Sequence, residues 1–324
     1  MQKDFHYDII FALAKEAGYP DADANIIAYA SQYVDDNTDR EYTVSDSSGE
    51  FYVGFPDEIG QSGDLYFPII TQAVDIASFR LSIQRYVFAP FHFIPGDSNV
   101  TLKKKKNPLC TTRGCKNATD LVQKAKKSKD IYRLGIALHT YADTFSHERF
   151  SAFREDWNRV HKSPIANLPP NIGHAEVFQQ PDEISTKWVD ERFGKKKIVN
   201  NERALAAAES IFELIKRGNA KWGDIQADLE TFMDADNLDK RVNLVKSKYP
   251  EIESYDEDKW LNEALEFSRD TSEIPEYDVL TGNPKPTRAR YVDISIRDID
   301  SHWLRFQQAA KKQLASVLDL VKAL

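Results

Sequence analysis

Three ionisable side chains recur at every fourth position in residues 134–150, which read LGIALHTYADTFSHERF. His139, Asp143 and His147 therefore project from one face of a predicted helix. Imidazole and carboxylate groups without a thiolate are typical ligands of catalytic zinc and similar divalent ions. Eight residues of helix separate His139 from His147 by roughly 12 Å, which is too far for one shared ion. Asp143 lies midway with two carboxylate oxygens, so the spacing predicts more than one ion with Asp143 able to bridge.

The residues around this face decide between two interpretations. In a solvated helix the three side chains would form a polar surface, or the histidines would pair with acids. Apolar side chains surround the three residues, however, so the pattern predicts a helix buried nearly all round. These side chains are Leu134, Ile136, Ala137, Leu138, Tyr141, Ala142, Phe145 and Phe150. Because a buried charge must be paired or bound to metal, metal binding is the favoured interpretation.

Four further ligand candidates precede this stretch. Asp35 and Asp36 end an otherwise apolar and small-residue helical segment, where two carboxylates oppose the helix dipole. A bound cation would explain them, and so would a solvated helix end. His6 and His92 each lie between two aromatic residues. Taken alone, each fits a hydrogen-bonded core histidine better than a metal ligand.

Two more histidines follow the stretch. His161 comes after a polar segment, which favours a surface position. His174 lies in the irregular sequence NIGHAEVFQQPDE, near Glu176 and Asp182. The residues alone leave its role open.

The motif and the order of the other elements resemble the zinc-dependent phospholipase C superfamily, which includes single-strand-specific zinc nucleases. Members have LGxxLHxxxD followed by another histidine on a central helix, as in LGIALHTYADTFSH here. FHYDIIFALA resembles their N-terminal helix with an early histidine, ASQYVDD their helix that ends in aspartate, and FHFIPG their histidine turn. The resemblance covers roughly residues 1–185 and extends to a microbial branch of the superfamily.

The resemblance implies three zinc ions in a cleft between helices. It implies that Asp35, His92, His139 and Asp143 hold one ion. Asp36 is the alternative to Asp35 as a ligand. Asp143 would then bridge to a second ion. The resemblance also implies that Asp35 orients or deprotonates the attacking water.

The resemblance implies in addition that His6 holds the second ion. His147 would hold the third together with a later histidine and an acid. For these we favour His174 with Asp182, and Glu176 and His161 are the alternatives.

Three features depart from the family pattern. Family members use a free N-terminal tryptophan as a ligand, whereas this chain starts Met1-Gln2-Lys3, so Asp4 or a processed terminus would have to substitute. The spacing from Asp143 to His147 is shorter than in the family and lacks its proline. An acid four residues after the later histidine is also missing, since His174 is followed there by Phe178.

Helical periodicity dominates the chain and strand signals are scarce, so the predicted fold is mainly α, a multi-helix bundle with long loops. Helices are predicted at 5–17, 22–36, 65–87, 118–154 (two helices meeting near Lys129), 201–217, 222–233, 236–248, 256–270 and 296–323. We expect residues 1–200 to form the metal-site core. Residues 201–324 are expected to pack on the same domain.

Composition restricts the possible partners. With 43 basic and 51 acidic residues the net charge is −8, which argues against a strongly basic nucleic-acid surface. No run approaches the roughly 18 apolar residues of a membrane span. Charges in the first 14 residues make a poor signal peptide, so we expect a cytoplasmic protein, or a secreted one if a leader was removed. No protein partner is indicated.

The predicted function is a zinc-dependent phosphoester hydrolase with two or three ions, acting on a phospholipid or a small phosphoester. A single-stranded nucleic acid is the less favoured substrate, and a non-catalytic metal-binding module is the alternative from another class. Aromatic residues for lipid contact are Phe51, Tyr52 and Phe55. Basic residues for nucleic-acid contact are Arg149, Arg154 and the lysines at 103–106.

Overall fold

The computed structural model describes residues 1–38, 69–73, 76–96, 100–102, 105–161, 171–194, 196–270, 290–296 and 300–322. Within these ranges the chain is mainly α-helical with few strands, which confirms the predicted fold class. The predicted lipid contacts Phe51, Tyr52 and Phe55, and two of the four lysines at 103–106, lie outside the described residues.

Eleven α-helices are present in the described ranges. They are α1 (Ile10–Glu16), α2 (Asp21–Asp36), α3 (Leu81–Ile83), α4 (Ala89–Phe91), α5 (Lys116–Ser128), α6 (Ile131–Ser146), α7 (Asn200–Ile215), α8 (Gln226–Met233), α9 (Leu238–Lys248), α10 (Lys259–Ala264) and α11 (His302–Lys322). Two π-helical segments, Asp4–Ile9 and Gln84–Phe88, lead into α1 and α4. Such wider turns are frequent at functional sites.

Helix α6 lies at the centre of the packing, in contact with α2, α5 and α7. Its closest neighbour is α2, and Gly135 makes this approach possible. A Cβ atom at Gly135 would lie 2.4 Å from the Ile27 carbonyl oxygen and 2.7 Å from the Cβ of Ala30. The small residues of the two helices therefore bring the end of α2, with Asp35, against the middle of α6.

Both ends of α6 follow from local chemistry. Lys129 adopts the left-handed conformation with φ 57° and separates α5 from α6, where the two predicted helices were expected to meet. The Asp130 carboxylate then accepts a hydrogen bond from the backbone N–H of Arg133 and caps the helix. At the other end α6 stops at Ser146, and Arg149 has φ 68°. The expectation of helix as far as residue 154 was therefore wrong.

The segment predicted as one helix at 65–87 is not continuous in its described part. Residues 69–73 are non-helical, and a 3₁₀ turn at Ile76–Phe79 precedes α3. The backbone N–H of Thr71 donates to the Asn37 carbonyl, 3.1 Å away, which draws this strand of backbone against the end of α2. The same segment brings the carbonyl oxygen of Thr71 to 2.8 Å from Nε2 of His92.

The strands form three two-stranded antiparallel sheets in the described residues. They pair β1 (Thr101–Leu102) with β2 (Lys105–Lys106), β3 (Lys187–Asp190) with β4 (Lys196–Val199), and β5 (Leu265–Asp270) with β6 (Arg290–Ile296). The hairpin β3–β4 lies in a segment expected to be loop. Strand β5 replaces the end of the helix expected at 256–270, so that part of the prediction was wrong.

The chain divides into two compact units. The first comprises Met1–Thr38, Thr71–Tyr255 and Ala309–Leu324, and it contains α1, α2 and α6 with their buried apolar core. The second comprises Asp39–Ile70 and Asp256–Gln308, with the β5–β6 hairpin and a stacked pair of rings, Trp260 and His302. The expectation that residues 1–200 form the metal-site core and residues 201–324 pack on the same domain stays a prediction.

None of the helices in the described residues has both the length and the apolar character that crossing a bilayer requires.

Candidate metal centre

The three residues of the helical motif lie on the buried face of α6 and at its end. His139 has no exposed surface, and Asp143 and His147 expose 1% and 4%. Six other histidine and aspartate side chains were predicted as ligands, and five of them lie around this face. Together they form three groups whose ligand atoms lie within 4.8 Å of one another and which could each hold a metal ion.

The first group contains the end of α2 and the middle of α6. Nδ1 of His92 and Nε2 of His139 are 3.2 Å apart, and each is 3.2 Å from Oδ2 of Asp143. Oδ1 of Asp35 lies 3.8 and 3.7 Å from the same two nitrogens. Four ligands on a tetrahedron with bonds of 2.0–2.1 Å are about 3.3–3.4 Å apart, so these four atoms have nearly that arrangement.

The ring of His92 is held so that Nδ1 faces this group. Its Nε2 lies 2.8 Å from the carbonyl oxygen of Thr71. A carbonyl oxygen can only accept, so Nε2 carries the proton and donates, and in the neutral ring Nδ1 presents a lone pair. A hydrogen bond from the second ring nitrogen to a carbonyl is the usual support of a metal-bound histidine.

The second group joins the N-terminal π-helical segment to α6 through His6, His139 and Asp143. Nε2 of His6 lies 3.2 Å from Oδ1 of Asp143, the oxygen that the first group does not use. The rings of His6 and His139 are stacked with centroids 3.9 Å apart. Nδ1 of each of these two rings is buried without a hydrogen-bond partner among the described residues.

The third group lies at the end of α6 and contains His147, His174 and Asp182. Nε2 of His147 is 3.0 Å from one carboxylate oxygen of Asp182, and Nε2 of His174 is 3.1 Å from the other. Both rings donate through Nδ1 to backbone carbonyls: His147 to His92 at 2.9 Å, and His174 to Phe178 at 2.7 Å. Both Nε2 atoms are thereby directed at the carboxylate.

The amino group of Met1 lies between the second and third groups. It is 2.6 Å from Oδ1 of Asp143 and 3.1 Å from Oδ1 of Asp182. Burial disfavours its charge, but the carboxylates of Asp143, Asp182 and Asp35 outweigh burial and raise its pKa to about 11. Asp4, expected as a substitute ligand, is instead paired with buried Arg241. The guanidinium of Arg241 thus occupies the carboxylate of Asp4.

The three remaining candidates lie outside these groups. The carboxylate of Asp36 accepts hydrogen bonds from Gln32 and Tyr255, so it is not an equivalent of Asp35. His161 is half-exposed beside Glu191, at 3.8 Å. Glu176 accepts from the backbone N–H groups of Val160 and His161 and supports a turn.

The two central carboxylates are held in the ionised form. Burial alone would raise the pKa of Asp143, but His147, the Met1 amino group and His139 outweigh it and hold this pKa well below its usual range. The pKa of Asp182 is lowered in the same way against burial, by the Met1 amino group, His174 and His147. The centre therefore presents charged oxygens to any cation that enters.

A known protein family matches residues 1–321, almost the whole chain. The chain belongs to DUF6765, a family of unknown function. No curated protein and no solved structure matches the sequence. For this member of DUF6765 the case for a function therefore depends on the geometry of its own side chains.

A cavity of about 900 Å³ opens onto the groups of this DUF6765 protein. Its polar floor includes Asp35, His92, Asp143, His147 and Asp182. Its other lining residues are mostly apolar, including Phe88, Phe93 and Ile172. The ring of Phe93 stacks on His147 with centroids 4.4 Å apart. An apolar wall around charged ligands lowers the local dielectric and strengthens electrostatic interactions at the floor.

The chemistry of the donors fits divalent metal in the DUF6765 protein. In the first group two imidazole nitrogens and two carboxylate oxygens converge, and the amino group of Met1 contacts the other oxygen of Asp143. In the third group the Nε2 lone pairs of His147 and His174 both point at the carboxylate of Asp182. They would repel its oxygens unless a metal cation or added protons lie between them. Nitrogen and oxygen donors of this kind suit zinc, and sulfur is absent from all three groups.

Several supporting contacts have no signal in the sequence. The Met1 amino group and the carbonyls of Thr71, His92 and Phe178 act through the backbone, whose position depends on the fold. Aspartate and histidine side chains could be found from residue type and spacing. Backbone groups could not, because every residue has them.

Proposed function

We propose that this protein is a metal-dependent phosphoester hydrolase whose divalent ions, zinc by preference, are held around Asp143. The observation that carries the proposal is the convergence of three histidine–aspartate groups, each with at least one member in the lining of the same cavity. Asp35, His92, His139 and Asp143 would hold one ion, and His6 with Asp143 a second. A third would be held by His147, His174 and Asp182.

Bound divalent ions would supply Lewis acidity and lower the pKa of a coordinated water towards roughly 7. The side chains then have separate tasks. Asp143, with one oxygen towards each of two groups, would contribute a ligand to an ion in both. Asp35 is about one-quarter exposed and lines the cavity, so its carboxylate can orient an attacking water and accept its proton. Burial raises the pKa of Asp35 above its usual value, against the lowering effect of His139 and His92.

Access to solvent supports a catalytic centre over a structural one. Structural zinc sites are closed by four protein ligands, whereas catalytic sites keep a position open. Members of the first and third groups line the cavity, among them Asp35 and Asp182. The third group offers three protein ligands, so the fourth position of a tetrahedral ion held there would be open to a substrate atom.

The entrance of the cavity favours an amphiphilic phosphoester. Phe79 and Phe178 line the cavity yet are 46% and 70% exposed, and Leu81, two residues from Phe79, is 55% exposed. Phe178 has φ 51° and ψ −131°, a conformation that costs energy for a residue with a side chain. An apolar entrance above an ionic floor matches a phospholipid, whose phosphate and acyl chains need these two environments.

The basic residues favour nucleic acid less. The described lining of the cavity contains no lysine or arginine. Arg149 stacks on Phe193, with its guanidinium 4.3 Å from the ring centroid, and is not part of the lining. Arg154 is not part of the lining either, but its guanidinium lies 5.5 Å from the ring centroid of Phe79, which lines the cavity. Single-strand binding usually needs a basic groove with several stacked bases.

The proposed activity can be tested with zinc-loaded protein and bis(p-nitrophenyl) phosphate, a chromogenic phosphodiester. We expect hydrolysis that a chelator abolishes and zinc restores. Asp35→Asn, which keeps the shape but weakens the base, should lower kcat by about 10²–10⁴-fold. Asp36→Asn is the matched control beside it and should leave kcat within about twofold. Tight metal binding without hydrolysis of any phosphoester would support the non-catalytic module instead.

Substrate choice can be tested with mixed micelles of phosphatidylcholine, single-stranded DNA and the chromogenic diester. We expect Phe178→Ala and Phe79→Ala to lower kcat/KM on the micelles about tenfold and to leave the small diester unaffected. Val189→Ala removes another exposed apolar side chain that is not part of the cavity lining and serves as control. Faster cleavage of single-stranded DNA than of micelles would contradict the assignment to phospholipid.

A further inference from the structure

The first turn of α7 contains two buried polar side chains, Asn200 and Arg203, which are only 3% and 5% exposed. They contact each other, since Nη1 of Arg203 donates to Oδ1 of Asn200 at 3.2 Å. Trp188 also donates to this oxygen, at 3.2 Å through its indole nitrogen. Neither Asn200 nor Arg203 belongs to a metal-binding group or to the cavity lining. Their remaining hydrogen bonds lead to the two segments that supply the third group.

Arg203 caps the end of α6. Its guanidinium donates to the carbonyl oxygen of Phe145, at 2.6 Å from Nε, and to that of Ser146. These carbonyls belong to the last turn of α6, where no helical N–H remains to satisfy them. A cation at this end also complements the helix dipole. The contact fixes the backbone immediately before His147.

Asn200 holds the turn that contains Asp182. Its amide nitrogen donates to the carbonyls of Gln180 and Glu183, at 2.6 and 2.8 Å. These two residues flank Asp182 on either side. The backbone on both sides of this ligand is therefore tied to one side chain of α7.

We propose that Asn200 and Arg203 are positioning residues that set His147 and Asp182 at the spacing a third metal ion requires. The two ligands are 35 residues apart in the chain, and their side chains meet at 3.0 Å. Helix α7 tethers both of their backbones through two directly bonded side chains. This inference rests on the proposed function, because it assigns the pair to one of the proposed ions.

The effect should be selective among the three groups. His6, His92 and Asp35 belong to segments to which neither Asn200 nor Arg203 donates a side-chain hydrogen bond in the described structure. His139 and Asp143 lie within α6, whose own helical hydrogen bonds hold them. Loss of the tether therefore disturbs the third group while the first two keep their ligands in place. Substitution of hydrogen-bond partners behind metal ligands typically costs 10–100-fold in metal affinity.

The test uses Asn200→Asp and Arg203→Lys in the full chain, titrated with Zn²⁺ against a chromophoric chelator. Asn200→Asp keeps the partner of Arg203 but replaces the two amide donors with an acceptor. Arg203→Lys keeps the charge but loses the fork that reaches two carbonyls. We expect 10–100-fold weaker binding of one ion and unchanged binding of the others. Ile211→Val, a buried change further along α7, controls for general destabilisation of the helix.

A second comparison locates the ion that is lost. His174→Ala removes a ligand of the third group, so combining it with Arg203→Lys should weaken binding no further. Unchanged affinities for all three ions in Asn200→Asp and in Arg203→Lys would overturn this inference and leave the proposed function intact. Additive losses in the double variant would also overturn it. A wild-type protein that binds no zinc would overturn the proposed function and the inference together.

Discussion

Nε2 of His139 lies 3.2 Å from Oδ2 of Asp143, one helical turn further along α6. The other oxygen of the same carboxylate faces His6, also at 3.2 Å. One aspartate thus serves two groups of histidines that come from three separate segments of the chain. Because its two oxygens face two groups, loss of the Asp143 carboxylate should affect more ions than loss of a ligand that belongs to one group only.

Replacing Asp143 should remove more metal than replacing a ligand of the third group. Asp143→Asn keeps the shape of the side chain but removes the charge shared by two groups, so we expect at least two fewer ions per chain. His174→Ala should lose one ion. Elemental analysis of both variants after gel filtration measures the difference. Equal metal content in the two variants would show that Asp143 does not bridge.

The close approach of α2 and α6 should be sensitive to one methyl group. Gly135→Ala would place a Cβ atom 2.4 Å from the carbonyl of Ile27, so the helices must separate. We expect a loss of about 1–3 kcal/mol in the free energy of unfolding. Zinc affinity should fall as well, because Asp35 moves away from His139.

A matched control for this variant is Gly223→Ala, since a Cβ atom at Gly223 would meet nothing within 4 Å. Denaturant unfolding and zinc titration of both variants provide the comparison. Unfolding of the two alanine variants at the same denaturant concentration would contradict a close contact between α2 and α6 at Gly135.

Asp8 should make the stability depend on pH. Its side chain has no exposed surface, and neither carboxylate oxygen has a hydrogen-bond partner among the described residues. Burial raises its pKa to about 7, despite nearby Lys246 and Lys3. The folded state therefore holds a proton that the unfolded state has lost between about pH 4 and 7, and stability falls as pH rises through this window.

Asp8→Asn removes this dependence because the amide has no charge to bury. Relative to wild type, we expect the variant to be more stable by up to about 4 kcal/mol at pH 8 and equally stable at pH 4. Urea unfolding of both proteins in chelator at the two pH values is the measurement. A constant difference between the proteins at both pH values would contradict the pKa of Asp8.

Metal should also stabilise the folded chain. Ions that bind only the folded state add about 2.7 kcal/mol per site when free zinc is 100 times the dissociation constant. We therefore expect the melting temperature to fall in chelator and to recover with zinc. Acid below about pH 5 should act like chelator, because protonated histidines cannot bind metal. Asp143→Asn should respond to zinc much less than wild type does.

The sequence predicts the helices of the site well because their patterns are local. The helical periodicity of the apolar residues locates α2 and α6. The spacing of His139 and Asp143 marks the face of α6 that meets the other ligands. The choice between Asp35 and Asp36 could not be made from sequence. It depends on Tyr255, more than 200 residues away, whose hydroxyl donates a hydrogen bond to the carboxylate of Asp36.

The hairpin β3–β4 and strand β5 were missed for a related reason. Short strands such as Lys187–Asp190 obtain their hydrogen bonds from a partner strand, so the sequence of one strand holds only part of the information. Residues 256–270 contain enough helix formers to predict a continuous helix. Pairing with Arg290–Ile296 instead draws Leu265–Asp270 into a strand.

The most direct test of the account is the metal content of wild-type protein purified without chelator. We predict two to three equivalents of zinc per chain, removed by prolonged dialysis against chelator and restored stoichiometrically. Protein that contains no zinc or other divalent metal, and that takes up none on titration at pH 7.5, would contradict the central claim that these histidines and aspartates form a metal centre.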